Sequence, residues 1–180
     1  SHQAVLPKGN FTLKMTSTNS AVNINWYDFE FVSTDTQPIL IPGIVQAEDY
    51  TSQSGVAVEA CSDTGGGQNL NYIDEGDYVN YTISIQNTGF YTVQARVAGF
   101  DTSSFNLVLS KPNSPDQLLE TFTTPKTNGW QNWQTIEKGI LLHAGEYNLT
   151  LNILDGEFNI NWLNFIYDED GGAQIPGVVQ

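Results

Sequence analysis

Val79-Asn80-Tyr81-Thr82-Ile83-Ser84-Ile85 alternates apolar and polar residues without a break. Successive side chains of a strand point to opposite faces. A period of two therefore puts Val79, Tyr81, Ile83 and Ile85 on a buried face and Asn80, Thr82 and Ser84 on a wet one. The pattern spreads outward from this stretch. Thr92-Val93-Gln94-Ala95-Arg96-Val97-Ala98 alternates, as do Phe105-Asn106-Leu107-Val108-Leu109 and Tyr147-Asn148-Leu149-Thr150-Leu151-Asn152-Ile153. Phe158-Asn159-Ile160-Asn161-Trp162 sets apolar residues on one side and amides on the other, which predicts Trp162 on the core face with Phe158 and Ile160. Turn residues separate the runs at Asn87-Thr88-Gly89, Pro112-Asn113-Ser114-Pro115, Asn128-Gly129, Ala144-Gly145 and Asp155-Gly156. No helical period extends beyond two turns. Short strands joined by turns over ~130 residues predict an all-β chain folded as a β-sandwich.

Composition narrows the function. Among 180 residues, 20 are acidic and 6 basic, for a net charge of −14, while 39% are hydrophobic and 12% aromatic. That is enough apolar material for a core, so the acidity belongs to a folded surface rather than a disordered polyanion. The six cations, Lys8, Lys14, Arg96, Lys111, Lys126 and Lys138, are scattered, so a surface that tracks phosphates has no raw material. Nucleic acid and anionic membranes are excluded as partners. No window approaches the ~18 apolar residues of a membrane-spanning helix. Ser1-His2-Gln3 opens polar, without the pattern of a signal peptide. Cys61 is the single cysteine, which rules out an internal disulfide and a thiolate zinc site.

The chain also repeats itself. Leu6-Pro7-Lys8-Gly9-Asn10-Phe11-Thr12-Leu13 returns as Leu142-His143-Ala144-Gly145-Glu146-Tyr147-Asn148-Leu149, and Asn23-Ile24-Asn25-Trp26 as Asn159-Ile160-Asn161-Trp162, both offset by 136 residues. Ile41-Pro42-Gly43-Ile44-Val45-Gln46 returns as Ile175-Pro176-Gly177-Val178-Val179-Gln180. The simplest explanation is a tandem array of similar modules. In that reading residues 1–33 are the C-terminal fragment of a preceding copy and 34–40 a linker. Residues 41–168 are one complete module, and 169–180 a linker with the first strand of a following copy. The strand pair within 10–31 lacks its sandwich partners, so residues 1–33 are expected to be ordered by pairing, through strand exchange or a dimer.

Five segments, in order, carry a resemblance. Gln46-Ala47-Glu48-Asp49-Tyr50, Gly65-Gly66-Gly67-Gln68-Asn69-Leu70-Asn71-Tyr72-Ile73, Gly76-Asp77-Tyr78-Val79-Asn80-Tyr81, Gly129-Trp130-Gln131-Asn132-Trp133-Gln134-Thr135 and Phe158-Asn159-Ile160-Asn161-Trp162 resemble the signatures of family 6 carbohydrate-binding modules. The family's Gly-Asp-Trp stands here as Gly76-Asp77-Tyr78. The resemblance implies a jelly-roll sandwich, a structural calcium ion (Ca2+), and non-catalytic binding of a β-linked polysaccharide on behalf of an attached glycoside hydrolase and its sister modules; the strong negative charge suits a protein secreted into a saline setting. The resemblance places a loop-end saccharide site on Tyr72, Trp130 and Asn159, two aromatic plates with an amide beneath. It puts a second site on a concave sheet face at Tyr78 with Glu59 as polar partner, and the metal on Gln46, Glu48 and Asn164.

The residue chemistry agrees with that reading. Sugar rings have apolar faces and hydroxyl rims, so their sites want flat aromatic rings beside amides or carboxylates. Oxygen donors without sulfur or paired histidines suit calcium. Against the plates stands the ordinary fate of aromatic residues in β proteins, burial in the core, which is expected of Trp133 and Trp162. Strong acidity repels anionic glycans, leaving a neutral β-glucan, xylan or agarose. The alternative is a calcium-stabilised structural or adhesive array without glycan specificity. An enzyme is not expected. Asp74, Glu75 and Asp77 read as a solvated turn, and His143 sits in a β-turn with no partner for a nucleophilic triad.

Overall fold

The computed structural model describes residues 37–169. The repeated segments at 1–33 and 175–180, and with them the expected strand exchange, lie outside the described residues. Twelve strands follow one another: β1 (Ile39–Ile41), β2 (Gly43–Gln46), β3 (Ser52–Ser54), β4 (Ala57–Ala60), β5 (Gln68–Asn71), β6 (Tyr78–Ile85), β7 (Gly89–Gly99), β8 (Ser103–Ser110), β9 (Gln117–Thr124), β10 (Gly129–Leu142), β11 (Gly145–Asp155) and β12 (Phe158–Tyr167). All five turn signals read from the sequence fall at the junctions between strands. The linker expected at 34–40 ends early, because Ile39 and Leu40 already belong to β1, paired parallel with Ile83 and Ser84 of β6.

The strands form the expected all-β jelly-roll sandwich of two six-stranded sheets. One runs β1-β6-β11-β8-β9, with β3 sharing the free edge of β6. The other runs β10-β7-β12-β5-β4, with β2 also on β12. Alternation decides what lies between them. Val79, Tyr81, Ile83 and Ile85 of β6 are buried against Val93, Ala95 and Val97 of β7 and their neighbours in one core. Phe105 anchors it, its ring stacked on Phe122 at 5.0 Å and on Phe158 at 5.7 Å. Tyr81 is buried yet satisfied, since its hydroxyl donates to the carbonyl of Ala47 at 2.8 Å. Burial pushes that phenol well above the usual tyrosine range.

Two irregularities shape the end of the sandwich that matters most. In β12, Ile160 opposes Val97 and Trp162 opposes Arg96, so Asn161 is an extra residue and forms a bulge. A bulge resets the alternation. Phe158 and Ile160 stay in the core, but Trp162 turns outward beside Arg96, half-buried, and Leu163 and Phe165 take the inner positions. The expectation that Trp162 shares the core face with Phe158 and Ile160 is thus corrected. Trp133 is half-buried as well, outside the core. In β10, Gly129 opposes Gly99 while Gln134 opposes Val97, so residues 130–133 leave the ladder altogether. That excursion carries Trp130 and Gln131 over the sandwich end.

Candidate functional site

The loop end holds a cavity of about 360 Å³ built from four separated stretches of chain. Glu59 comes from β4, Tyr72 and Asp74 from the β5–β6 connection, Trp130 from the excursion of β10, and Asn159 from the start of β12. Tyr72, Trp130 and Asn159, named from the resemblance, are brought together here. Tyr72 is 78% exposed and adopts φ of 51°, the left-handed region that a non-glycine residue enters at a cost of ~1–2 kcal/mol. Its neighbours on the chain, Leu70 and Ile73, are buried, and that packing holds the turn which throws the ring outward. Trp130 is 39% exposed.

Between the two rings lies a polar floor. Asn159 is 3% exposed, and its amide nitrogen donates to Glu59 Oε1 at 2.9 Å and to the carbonyl of Trp130 at 2.8 Å. Glu59 Oε1 also accepts from Gln131 Nε2 at 2.9 Å and from Asn69 Nδ2 at 3.2 Å. Gln131 Nε2 reaches Asn69 Oδ1 as well, at 3.0 Å. A single carboxylate oxygen thus gathers three side-chain amides. Asn159 spends its amide nitrogen on the protein, and its carbonyl oxygen is what it can offer a hydroxyl. Asp74 and Glu157 add two more carboxylates to the cavity wall, which has no lysine or arginine. The turn behind it is tight. A Cβ on Gly156 would sit 2.6 Å from the carbonyl oxygen of Ile73, and the Gly156 carbonyl accepts from the Ser103 hydroxyl.

Glu59 therefore lies in this cavity and not beside Tyr78, which corrects the expected pairing of the two. β4 joins β5 in one sheet, whereas Tyr78 begins β6 in the other, opposite Ser54 and Asn152. Tyr78 is 38% exposed on the outer sheet face. Its surroundings there are amides: Asn152 donates to Asn106 at 3.0 Å, and Asn80 accepts from Thr150 at 2.7 Å and from Asn148 at 3.2 Å. Asn69 and Gln131 escaped the sequence reading, although both lie within the quoted motif segments. Nothing in their local pattern separates them from strand amides facing solvent.

The three residues expected to hold metal lie along and just past the pairing of β2 with β12. Asn164 pairs in register with Ile44, and its side-chain nitrogen donates to Gln94 at 3.3 Å. Gln46 opposes Trp162 on the outer face. Glu48 lies past the end of β2, where Oε1 accepts the Gln68 amide at 3.3 Å and Oε2 is buried without a partner. An orphaned buried carboxylate oxygen fits a hard cation. No group of three histidine, cysteine or acidic residues is arranged to hold a metal ion by itself among the described residues. Nearby, Asp63 forks onto Arg96 with two bonds of 2.8 Å and accepts from Asn161 at 3.1 Å. The guanidinium holds the Asp63 carboxyl below the usual carboxylate range.

Residues 46–167 match the sequence profile of the carbohydrate binding module (family 6). The chain belongs to that family. The family 6 module is 35% identical over 121 residues to the clotting factor G alpha subunit of Tachypleus tridentatus, a match covering 67% of this chain and 18% of that protein. It spans under a quarter of the length of that relative and of the Thermoclostridium stercorarium endo-1,4-beta-xylanase A, of which it covers 22%. Among solved structures, it superposes with a TM-score of 0.63 and 33% identity on a module of Cellvibrio mixtus lichenase 5A in complex with cellotriose, over 71% of this chain and 98% of the other. A beta-1,3-glucan binding module from Bacillus halodurans gives a TM-score of 0.65 at 28% identity, over 72% and 99% of the two chains.

Proposed function

We propose that the module binds the end of a neutral β-glucan chain between Tyr72 and Trp130, without cleaving it, and so keeps an attached glycoside hydrolase on its polysaccharide. The observation that carries this reading is the pair of exposed rings flanking the amide and carboxylate floor of Asn159 and Glu59. Rings take the apolar faces of a pyranose, and the floor takes its hydroxyls. A pocket at a loop end suits a chain terminus, whereas a groove would suit a chain interior. Three carboxylates on the wall oppose uronic acids and sulfated sugars. The cellotriose complex and the glucan-binding relative make a β-glucan the ligand this reading adopts, with xylan and agarose as its competitors.

Each plate removes some tens of Å² of apolar surface from water, on the order of 1 kcal/mol per ring. After the costs of association this corresponds to roughly micromolar to millimolar affinity. Weak single sites gain from tethered sister modules through effective concentration, and the role places the protein outside the cell. A calcium ion on Glu48 would tie the end of β2 to the start of β5, serving stability alone. The test is calorimetric titration of laminari- and cello-oligosaccharides, xylohexaose and polygalacturonate into the wild type and Trp130→Ala. Glucan binding that falls at least tenfold in the variant is expected. Unchanged binding in Trp130→Ala rejects the pocket, and no binding to any sugar favours the structural or adhesive array.

A further inference from the structure

We infer that Phe100 is a positioning residue for the sugar plate: its ring holds the Trp130 indole in the orientation that walls the pocket. This rests on the reading of the pocket as a saccharide site. Trp130 lies on the excursion of β10, where the register jumps from Gly129 opposite Gly99 to Gln134 opposite Val97, so the ladder with β7 does not fix it. Its main chain is held. The Trp130 carbonyl accepts from Asn159 at 2.8 Å, and the Thr127 hydroxyl bridges the carbonyls of Gly99 and Gly129 at 3.1 Å each. None of these three bonds constrains the indole, whose side-chain torsions have several staggered wells. The ring contact it does make is with Phe100, at 5.1 Å between centroids and 74° between planes.

Phe100 is 45% exposed in the turn after β7 and does not line the cavity. A large apolar ring left that open contributes little to the core. Edge-to-face packing on a neighbouring ring is the favourable contact available to it. An indole already held before the sugar arrives loses less freedom on binding.

The experiment is a double-mutant cycle on Phe100→Ala and Trp130→Ala, read by calorimetry with laminarihexaose. It is accompanied by indole 15N relaxation of Trp130 in the free protein, the resonance being assigned with Trp130→Phe. Phe100→Ala should weaken binding about three- to tenfold, lower the order of the Trp130 indole without sugar, and leave the melting temperature close to wild type. Phe100→Tyr should restore both readouts. In the Trp130→Ala background, Phe100→Ala should add nothing. An equal loss in both backgrounds overturns the inference, because Phe100 then acts on the sugar directly. An unchanged indole order also overturns it. If Trp130→Ala itself leaves binding intact, the pocket reading fails first, while the relaxation measurement still decides whether Phe100 holds the ring.

Discussion

Replacing Glu59 tests whether one carboxylate organises the pocket floor. In Glu59→Ala, Asn69, Gln131 and Asn159 each lose the bond to Oε1, though each amide nitrogen keeps one other acceptor: the Leu70 carbonyl, Asn69 Oδ1 and the Trp130 carbonyl. One stranded N–H per amide costs ~1–3 kcal/mol when no water can reach it. The pocket is open, so the low end applies, and the three together come to about 3 kcal/mol. For a domain of this size that lowers the melting temperature by about 6–12 °C. Glu59→Gln keeps an acceptor oxygen and the side-chain shape but exchanges charged for neutral hydrogen bonds, for a loss of about 1–2 kcal/mol. The assay is urea unfolding followed by tryptophan fluorescence, paired with oligosaccharide titration. Both variants should bind more weakly, since Asn159 also pins the main chain of Trp130. Stability of Glu59→Ala within ~0.5 kcal/mol of wild type would mean that the amides are held by something else, and the reasoning fails.

Other outcomes follow from single features. Asp63 has a carboxyl held below its unfolded value of ~3.9, so its contribution is present above that pH and lost as the pH falls through the folded value; Asp63→Asn should flatten the acid limb of a stability–pH curve, and an unchanged limb would deny Asp63 that role. Phe105→Ala removes the ring stacked on Phe122 and Phe158 and should cost about 3–5 kcal/mol in urea unfolding, a loss below ~1 kcal/mol being incompatible with the packing described. Calcium should raise the melting temperature of the wild type and not of Glu48→Ala, whereas a wild-type curve indifferent to both calcium and chelator would remove the ion from Glu48.

Alternation made the strands readable because it is local: burial of Val79, Tyr81, Ile83 and Ile85 requires only that β6 have one covered face. The turn residues were readable for the same reason, since Asn128 and Gly145, for example, meet backbone demands within a few residues (φ of 63° and 148°). Trp162 was misread at the point where locality ends. The bulge at Asn161 depends on how β12 registers against β7, and one inserted residue exchanges the two faces for everything beyond it.

Glu59 marks the same boundary in the site. Its neighbours on the chain do not reveal which sheet β4 joins, and only pairing with β5 sets the carboxylate under Asn159, 100 residues away. From its sequence alone this chain is an all-strand, acidic sandwich with aromatic residues near turns and a family resemblance that names two plates and an amide. Tertiary structure alone decided that these meet, that a carboxylate binds three amides beneath them, and that Phe100 touches Trp130. Those contacts join residues far apart on the chain, and register and closure of the two sheets, not local periodicity, bring them within hydrogen-bonding reach.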